Sequence, residues 1–391
     1  MIFCNHIDKE IRCQTISFSA GADPEWDAFL PEGHHLHSRF LKALENAKLP
    51  DFHTLYLKIF RGKNLIGLMY FQVLHFHENQ LDPQLLKGTG ITLLKNLILL
   101  QDSGVLICGN MFHLNEPGYF FPNPGDQHLV FPLTRSLTRR KTGRHIIATL
   151  IKDIPMISGE TDVAGFQSFD TDICMSMDLP LSWSNCDDYL NSLSKKYRQR
   201  ALKIRKAGFD LERRKLTEAE LLLHSNAIGQ LYQDVRQRQA VRIGSLNAGY
   251  FIEMLRANPE TFEVWGYFEG DVMQAFSSYF IRPDNSLEIH YIGFNSTANE
   301  TFFLYFNILF DGLVQCIERK KSKLLLGRTG YDAKASLGAK SEPSAHYYRI
   351  RRGWPALAFQ YLIKAWESRE NQDWQSRNPF KSSVPEPIEV A

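Results

Sequence analysis

Tyr250-Phe-Ile-Glu-Met-Leu-Arg-Ala-Asn258, followed by Thr261-Phe-Glu-Val-Trp-Gly-Tyr-Phe-Glu-Gly270, has an earlier counterpart in the same chain: Arg39-Phe-Leu-Lys-Ala-Leu-Glu-Asn-Ala47, followed by Thr54-Leu-Tyr-Leu-Lys-Ile-Phe-Arg-Gly62. The first member of each pair carries apolar residues at helical spacing, Phe251, Ile252 and Leu255 against Phe40, Leu41 and Leu44. A proline follows each (Pro259, Pro50) and ends the helix. The second member alternates with period two and stops at a glycine, the mark of a hairpin strand. Return strands are predicted over 64–76 and 271–281. Longer apolar helices are predicted over 84–100 and 300–319, each leading into a short buried strand, Val105–Gly109 and Lys323–Gly327. The separation is 211 residues from Phe40 to Phe251, 208 from Gly62 to Gly270 and 218 from Gly109 to Gly327. One long, nearly constant period implies a duplicated unit. The element order predicts an α/β (α+β) architecture: two tandem units, each a mixed, mostly antiparallel sheet flanked by helices. Boundaries are expected at 1–162 for the first unit, 163–186 for a connector, 187–366 for the second unit and 367–391 for a polar, flexible tail.

A net charge of +2 over 391 residues excludes nucleic-acid binding by the whole surface, so any basic site is local. The six cysteines show no C-x-x-C pair and no metal-ligand spacing, and read as reduced thiols of a cytoplasmic protein. The N-terminus is charged by Asp8 and has no signal-peptide core. The apolar stretches 91–100 and 302–314 are interrupted by Lys95 and Asp311 and fall short of the roughly 20 residues of a membrane span.

Positive charge is concentrated between Lys195 and Lys215, which hold ten basic residues and two acidic ones. Within it, Leu193–Gly208 reads as one helix with Ser194 as N-cap, Gly208 at its end and Tyr197, Ala201 and Ile204 as its buried stripe. Arg198 and Arg205 are its candidate anion ligands, because the guanidinium fork matches phosphate oxygens. A solvated helix face explains the same charges. The second constellation is Gly327-Arg-Thr-Gly-Tyr-Asp-Ala-Lys334, a turn after a buried strand, where α/β folds place ligands. Gly327, Arg328, Tyr331 and Lys334 are its candidates. Without a G-K-[ST] ending it is no Walker loop. The third is the strand Ser286–Phe294: alternation puts Glu288 and His290 on one face, and Leu287, Ile289 and Tyr291 on the other. A carboxylate beside an imidazole suits removal of a proton from an ammonium, and a strand with one wet face shows the same pattern. The fourth, Cys108–Gly118, is expected to match the Gly327 loop in the first unit. No G-x-S-x-G, H-E-x-x-H or G-x-G-x-x-G motif occurs where its chemistry needs it, and the cluster His34, His35, His37 reads as a loop.

The run Leu193-Ser-Lys-Lys-Tyr-Arg-Gln-Arg-Ala-Leu-Lys-Ile-Arg205 resembles the basic helix opening the second half of GNAT-like proteins of the FemAB and BioF2-like group, and Gly327…Lys334…Gly338 resembles their closing strand and K-x-x-x-G segment. The resemblance spans about residues 10 to 355 and implies two tandem GNAT-like units. It implies direct transfer of an acyl or aminoacyl group to an amine, without a metal or covalent enzyme intermediate. Acyl-CoA is then the expected co-substrate. Glu288 or His290 would be the base, Lys334 would hold the acceptor or the transition-state oxygen, and Arg198 would sit near phosphates. The acceptor would be a small-molecule or peptidoglycan-precursor-like amine. Where GNAT enzymes carry a glycine-rich pyrophosphate loop, this chain has Gly293-Phe-Asn-Ser-Thr-Ala-Asn-Glu-Thr301, with Asn295 and Ser296 as the remaining donors. The alternatives are an aminoacyl-tRNA-dependent peptide-bridge ligase and a binding protein that kept the fold without the chemistry.

Overall fold

The two glycine turns seen in the sequence each close a hairpin. In the computed structural model, Gly62 and Gly270 both take positive φ (60° and 58°) at the first position of a two-residue turn, a geometry that matches strand twist and that glycine adopts without strain. The structure describes residues 2–3, 10–18, 21–50, 52–75, 103–139, 145–154, 162–163, 165–238, 244–350 and 375–381. The predicted helix over 84–100 lies outside them. The chain divides into two compact units. One comprises Met1–Asp172 with Gln239–Leu246 and Pro343–Asn371, and the other Ile173–Arg238 with Asn247–Glu342 and Gln372–Ala391.

In the first unit the strands are β1 (Ile2–Phe3), β2 (Ile11–Ile16), β3 (Phe52–Arg61), β4 (Asn64–His75), β5 (Ser103–Cys108), β6 (Tyr119–Phe120), β7 (His145–Ile151) and β8 (Asp162–Val163). The helices are α1 (Pro24–Ala28), α2 (Ser38–Asn46) and α3 (Val130–Arg139). Strands β1 to β5 pair antiparallel in chain order. Strand β7 then joins β5 in parallel, and Tyr347–Ile350 pair antiparallel with β7. The crossover to the parallel strand carries α3, whose Val130, Phe131, Leu133 and Leu137 are buried against Leu57, Ile59, Met69, Phe71 and Leu106.

The second unit takes up the chain within β9 (Phe166–Asp178) and continues through α4 (Cys186–Ser192), α5 (Lys195–Ala207), β10 (Glu212–Lys215), α6 (Glu218–Leu223), α7 (Ser225–Arg236) and α8 (Ala248–Ala257). Then come β11 (Phe262–Glu269), β12 (Val272–Ile281), β13 (Ser286–Phe294), α9 (Ser296–Phe302), α10 (Leu304–Glu318), β14 (Lys323–Gly327), α11 (Tyr331–Ala335) and the first residues of β15 (Lys340–Ile350), whose remainder, from Pro343, belongs to the first unit. Strands β10 to β13 form an antiparallel meander, β14 joins β13 in parallel, and β9 closes antiparallel on β14. The two units therefore repeat one plan: a meander, one parallel pair, then an antiparallel closing strand.

This plan corrects the register of the repeat. The strand matching β14 in direction and connection is β7, and β5 matches β13. The 218-residue step from Gly109 to Gly327 compared strands that share a short apolar run but not a place in the sheet. It follows that the Cys108–Gly118 loop is not the counterpart of the Gly327 loop.

The helix predicted over 300–319 is two helices. Phe303 adopts a left-handed φ of 48° between α9 and α10, and the two helix axes differ by 66°. Asn307 compensates the break: its Nδ2 donates to Phe302 O at 2.8 Å and to Ile204 O at 3.0 Å, while Asn299 Oδ1 accepts from Tyr305 N at 2.9 Å. Helix α10 buries Leu304, Ile308, Leu309, Leu313 and Ile317 on Leu287 and Ile289 of β13 and Leu324 and Leu326 of β14. Among the described residues no single helix is long and apolar enough to cross a membrane. Residues 375–381, expected within a flexible tail, run as an extended segment in which Phe380 bridges Leu193 and packs on Trp183 and Tyr189.

Candidate functional site

Strand β13 carries the most concentrated chemistry of the second unit. Its pairing with β12 slips between Ser277↔Ile292 and Tyr279↔Ile289, so that His290 and Tyr291 together face Ser278. The Ser278 hydroxyl repairs the ladder, accepting from Tyr291 N at 3.0 Å and donating to Tyr291 O at 3.2 Å. Such a bulge re-aims side chains. Tyr291, expected on the face of Leu287 and Ile289, instead meets His290 (ring centroids 4.6 Å apart), Tyr232 (5.8 Å) and Tyr250 (6.5 Å). The three rings gather beside Glu288 and His290, and neither of those two side chains is wet: both are 1% exposed.

Four side chains, from α8, β13 and the turn that follows β12, form a hydrogen-bonded chain there. Arg282 NH1 donates to Glu288 Oε2 at 2.9 Å, His290 Nδ1 meets Glu288 Oε1 at 3.0 Å, and His290 Nε2 meets the Tyr250 hydroxyl at 2.6 Å. The guanidinium favours the ionised carboxylate. A carboxylate only accepts, so His290 carries its hydrogen on Nδ1 and presents Nε2 as an acceptor to Tyr250. The imidazole is packed edge-on against Phe280 at 4.7 Å, which fixes its plane. The sequence showed Glu288 and His290 but not Tyr250, which comes from α8, forty residues away.

Beside this chain the sheet opens. Strands β13 and β14 pair at only three positions, Ser286↔Lys323, Leu287↔Leu324 and Glu288↔Leu325. Beyond Glu288, no described strand pairs with that edge of β13, although β13 runs on to Phe294. Strand β14 ends in a loop with three left-handed residues, Gly327 (φ 76°), Thr329 (64°) and Gly330 (61°). For β-branched Thr329 that conformation costs about 1–3 kcal/mol and persists only where neighbours over-determine it. Lys334 supplies the constraint: its Nζ, 3% exposed as a residue, donates to Gly327 O at 3.1 Å and Arg328 O at 2.7 Å. Burial, with the Arg328 cation adding to it, pushes the ammonium down to about 7. A lysine whose charge is this costly, beside a parted strand pair, is a feature of reactive sites and also of structural staples.

The remaining candidates separate. Tyr331 is 9% exposed and belongs to the hydrophobic core. Arg205 is engaged internally, with NH1 2.5 Å from Asp311 Oδ1, which ties α5 to α10 and removes it from the pool of anion ligands. Asn295 caps α9: its Oδ1 accepts from Thr297 N at 2.9 Å and Ala298 N at 3.1 Å. Those are the amides a pyrophosphate would need, and the cap already satisfies them. Ser296 and Arg198 are exposed, Arg198 on the outer face of α5. In the first unit, Lys152 Nζ donates to Asn110 O at 2.9 Å and His113 O at 3.0 Å, so a buried ammonium braces a loop there too. His34, His35 and His37 make separate contacts with one another, Pro117 O and Asp27. Among the described residues no three His, Cys, Asp or Glu side chains are placed to hold a metal, and the five described cysteines are free thiols.

No protein-family model matches the sequence, and no curated protein matches it. Solved structures do. FemX aligns over 90% of this chain and all of its own, at 10% identity and a TM-score of 0.50. A tandem GNAT protein from the clavulanic acid biosynthesis pathway aligns over 87% of this chain and 98% of its own, at 9% identity and 0.45. A GCN5-related N-acetyltransferase from Anabaena variabilis aligns over 87% and 73%, at 10% identity and 0.42. At such identities the likeness is one of fold, and the fold is the FemAB-like arrangement of two GNAT-like units in tandem.

Proposed function

We propose that the chain is an N-acyltransferase that moves an acyl group directly onto an amine. The observation carrying this reading is the chain Arg282–Glu288–His290–Tyr250, built on the strand whose edge opens where β14 parts from it. An amine arrives as an ammonium and must lose a proton before it attacks. Tyr250 is closed off from solvent in the free protein, so the surrounding side chains must part for the ammonium to reach it; Tyr250 then takes that proton while passing its own to His290 Nε2. Glu288 then balances the imidazolium, and Arg282 keeps Glu288 ionised. The new C–N bond forms as the carbonyl becomes an oxyanion, for which Arg328 and the third N–H of Lys334 are the proposed cationic partners. Collapse expels the donor's leaving group, which receives the proton held by His290, while the nitrogen sheds its second proton to water and becomes the amide N–H.

Acyl-CoA is the donor we propose, with its amide-bearing pantetheine arm laid along the open edge of β13, whose backbone groups can pair with it. The pyrophosphate does not fit at α9, whose first amides are occupied by Asn295, so no step is assigned to the nucleotide. That same occupied cap favours a second reading, an aminoacyl-tRNA donor. The acceptor we propose is a small-molecule or peptidoglycan-precursor-type amine. Incubation of the protein with mixed acyl-CoAs, charged tRNA and an amine pool, read by mass spectrometry, tests both. A new amide formed from acyl-CoA, and lost in Tyr250→Phe and His290→Ala, supports the first reading. An amide formed only from charged tRNA assigns the second. No amide with any donor leaves a binding protein on the same fold.

A further inference from the structure

The ten cations between Lys195 and Lys215 fall into two sets. Four are engaged inside the unit: Arg205 and Arg213 share Asp311 at 2.5 and 3.0 Å, Arg214 meets Glu212 at 2.8 Å, and Lys215 meets Glu263 at 2.9 Å. The other six, Lys195, Lys196, Arg198, Arg200, Lys203 and Lys206, all lie on α5 and are exposed. No carboxylate among the described residues pairs with them. Arg200 rests over the Phe306 ring at 5.0 Å.

Charge alone would make this a solvated helix face, but one large apolar side chain stands in its middle and another at its end. Ala201 and Ile204 mark the inner side of α5. At 100° per residue Leu202 points away from them, and it is 48% exposed. Arg198 and Lys206 flank it one turn to either side. Phe209, two turns further on and just beyond the helix, is 82% exposed. The nearest carboxylates along the chain are Asp210, next to Phe209, and Glu212, which pairs with Arg214. Exposed Leu and Phe ringed by cations is the composition of a segment that lies in a lipid–water interface, with cations on phosphates and apolar tips among the acyl chains.

We propose that α5 and the turn carrying Phe209 dock on the surface of an anionic phospholipid bilayer, with Leu202 and Phe209 inserted. A nucleic acid would use the cations and could stack on Phe209, but an aliphatic Leu202 at the centre of the patch adds nothing to its binding. The docking does not depend on the acyl-transfer reading and is measured without substrate.

Co-sedimentation of the full chain with vesicles of phosphatidylcholine alone, and of phosphatidylcholine mixed with phosphatidylglycerol, tests it. The protein is expected to sediment only with the anionic vesicles. Leu202→Ser with Phe209→Ser keeps every charge and touches no core, so circular dichroism should not change while vesicle partitioning falls about tenfold or more. Lys203→Gln and Lys206→Gln should each lower partitioning about fivefold. Absence of sedimentation with anionic vesicles overturns the proposal, as does binding that the serine pair leaves unchanged. Tighter retention of tRNA than of vesicles, insensitive to Leu202→Ser alone, overturns it in favour of a nucleic-acid surface.

Discussion

Replacing Lys334 with Met gives a stability signature whose size follows from the structure. The ammonium is buried, and its folded value is pushed from the ordinary 10.5 down to about 7, first by desolvation and then by Arg328. The charged form is therefore disfavoured by folding. Below pH ~7 the full penalty applies, about 1.4 kcal/mol per unit over the interval. As pH rises from ~7 toward ~10.5 the folded protein releases the proton before the unfolded chain does. The unfolded state then binds more protons, and stability rises with pH. Integrated from pH ~7 to pH ~9, this one group contributes a gain of about 2 kcal/mol. Lys334→Met keeps the length of the side chain, loses both hydrogen bonds to Gly327 O and Arg328 O, and removes the titration. Urea unfolding of wild type and variant at the two pH values isolates the effect, because every other titrating group cancels in the difference. Wild type should gain about 2 kcal/mol on the variant between pH ~7 and pH ~9. A difference that stays constant across that range would refute the account of Lys334 as a buried, costly ammonium.

Other outcomes follow from the same geometry. Tyr250→Phe removes the hydroxyl that meets His290 and should lower kcat about 100-fold or more, while the buried Nε2 left without its donor costs about 1–3 kcal/mol of stability, as measured by steady-state kinetics beside denaturant unfolding. Glu288→Gln removes the buried carboxylate that pairs with Arg282 and His290 and should cost about 3–5 kcal/mol in denaturant unfolding. Gly293→Ala should destabilise by about 1–3 kcal/mol, since a Cβ there would fall 2.7 Å from Leu231 C and 2.8 Å from Tyr232 N, the backbone of α7. Gly229→Ala, on that same helix with nothing within 4 Å, should stabilise by about 0.5–1 kcal/mol.

The parts of the molecule written in local pattern were legible in the sequence. Period-two alternation ending at Gly62 and Gly270 gave both hairpins, and the buried stripe of Ala201 and Ile204 gave α5. What the sequence hid depends on contacts between distant residues. The apolar run 302–314 reads as part of one helix because nothing in it shows that Asn307 will stabilise a left-handed Phe303. Arg205 reads as a phosphate ligand because its true partner, Asp311, is 106 residues further on. The bulge opposite Ser278 moves Tyr291 across the sheet, and strict alternation has no way to record an extra residue. Tyr250 stands at the start of an amphipathic helix whose pattern assigns it no role, and only the fold brings its hydroxyl to His290. The match of β5 to β14 failed for a related reason: short buried strands ending in glycine resemble one another whatever their place in the sheet.

The break at Phe303 also sets how this region opens. Helix α9 has no buried side chain, whereas nine residues of α10 are buried. The left-handed residue interrupts the amide ladder between them, so the short segment can unravel without unwinding its neighbour. Amide deuteration should therefore proceed in two waves, residues 296–302 exchanging early through local fluctuation and residues 304–318 only with cooperative unfolding of the unit. The crossover beside the parted strands thus combines a fixed beam with a detachable end.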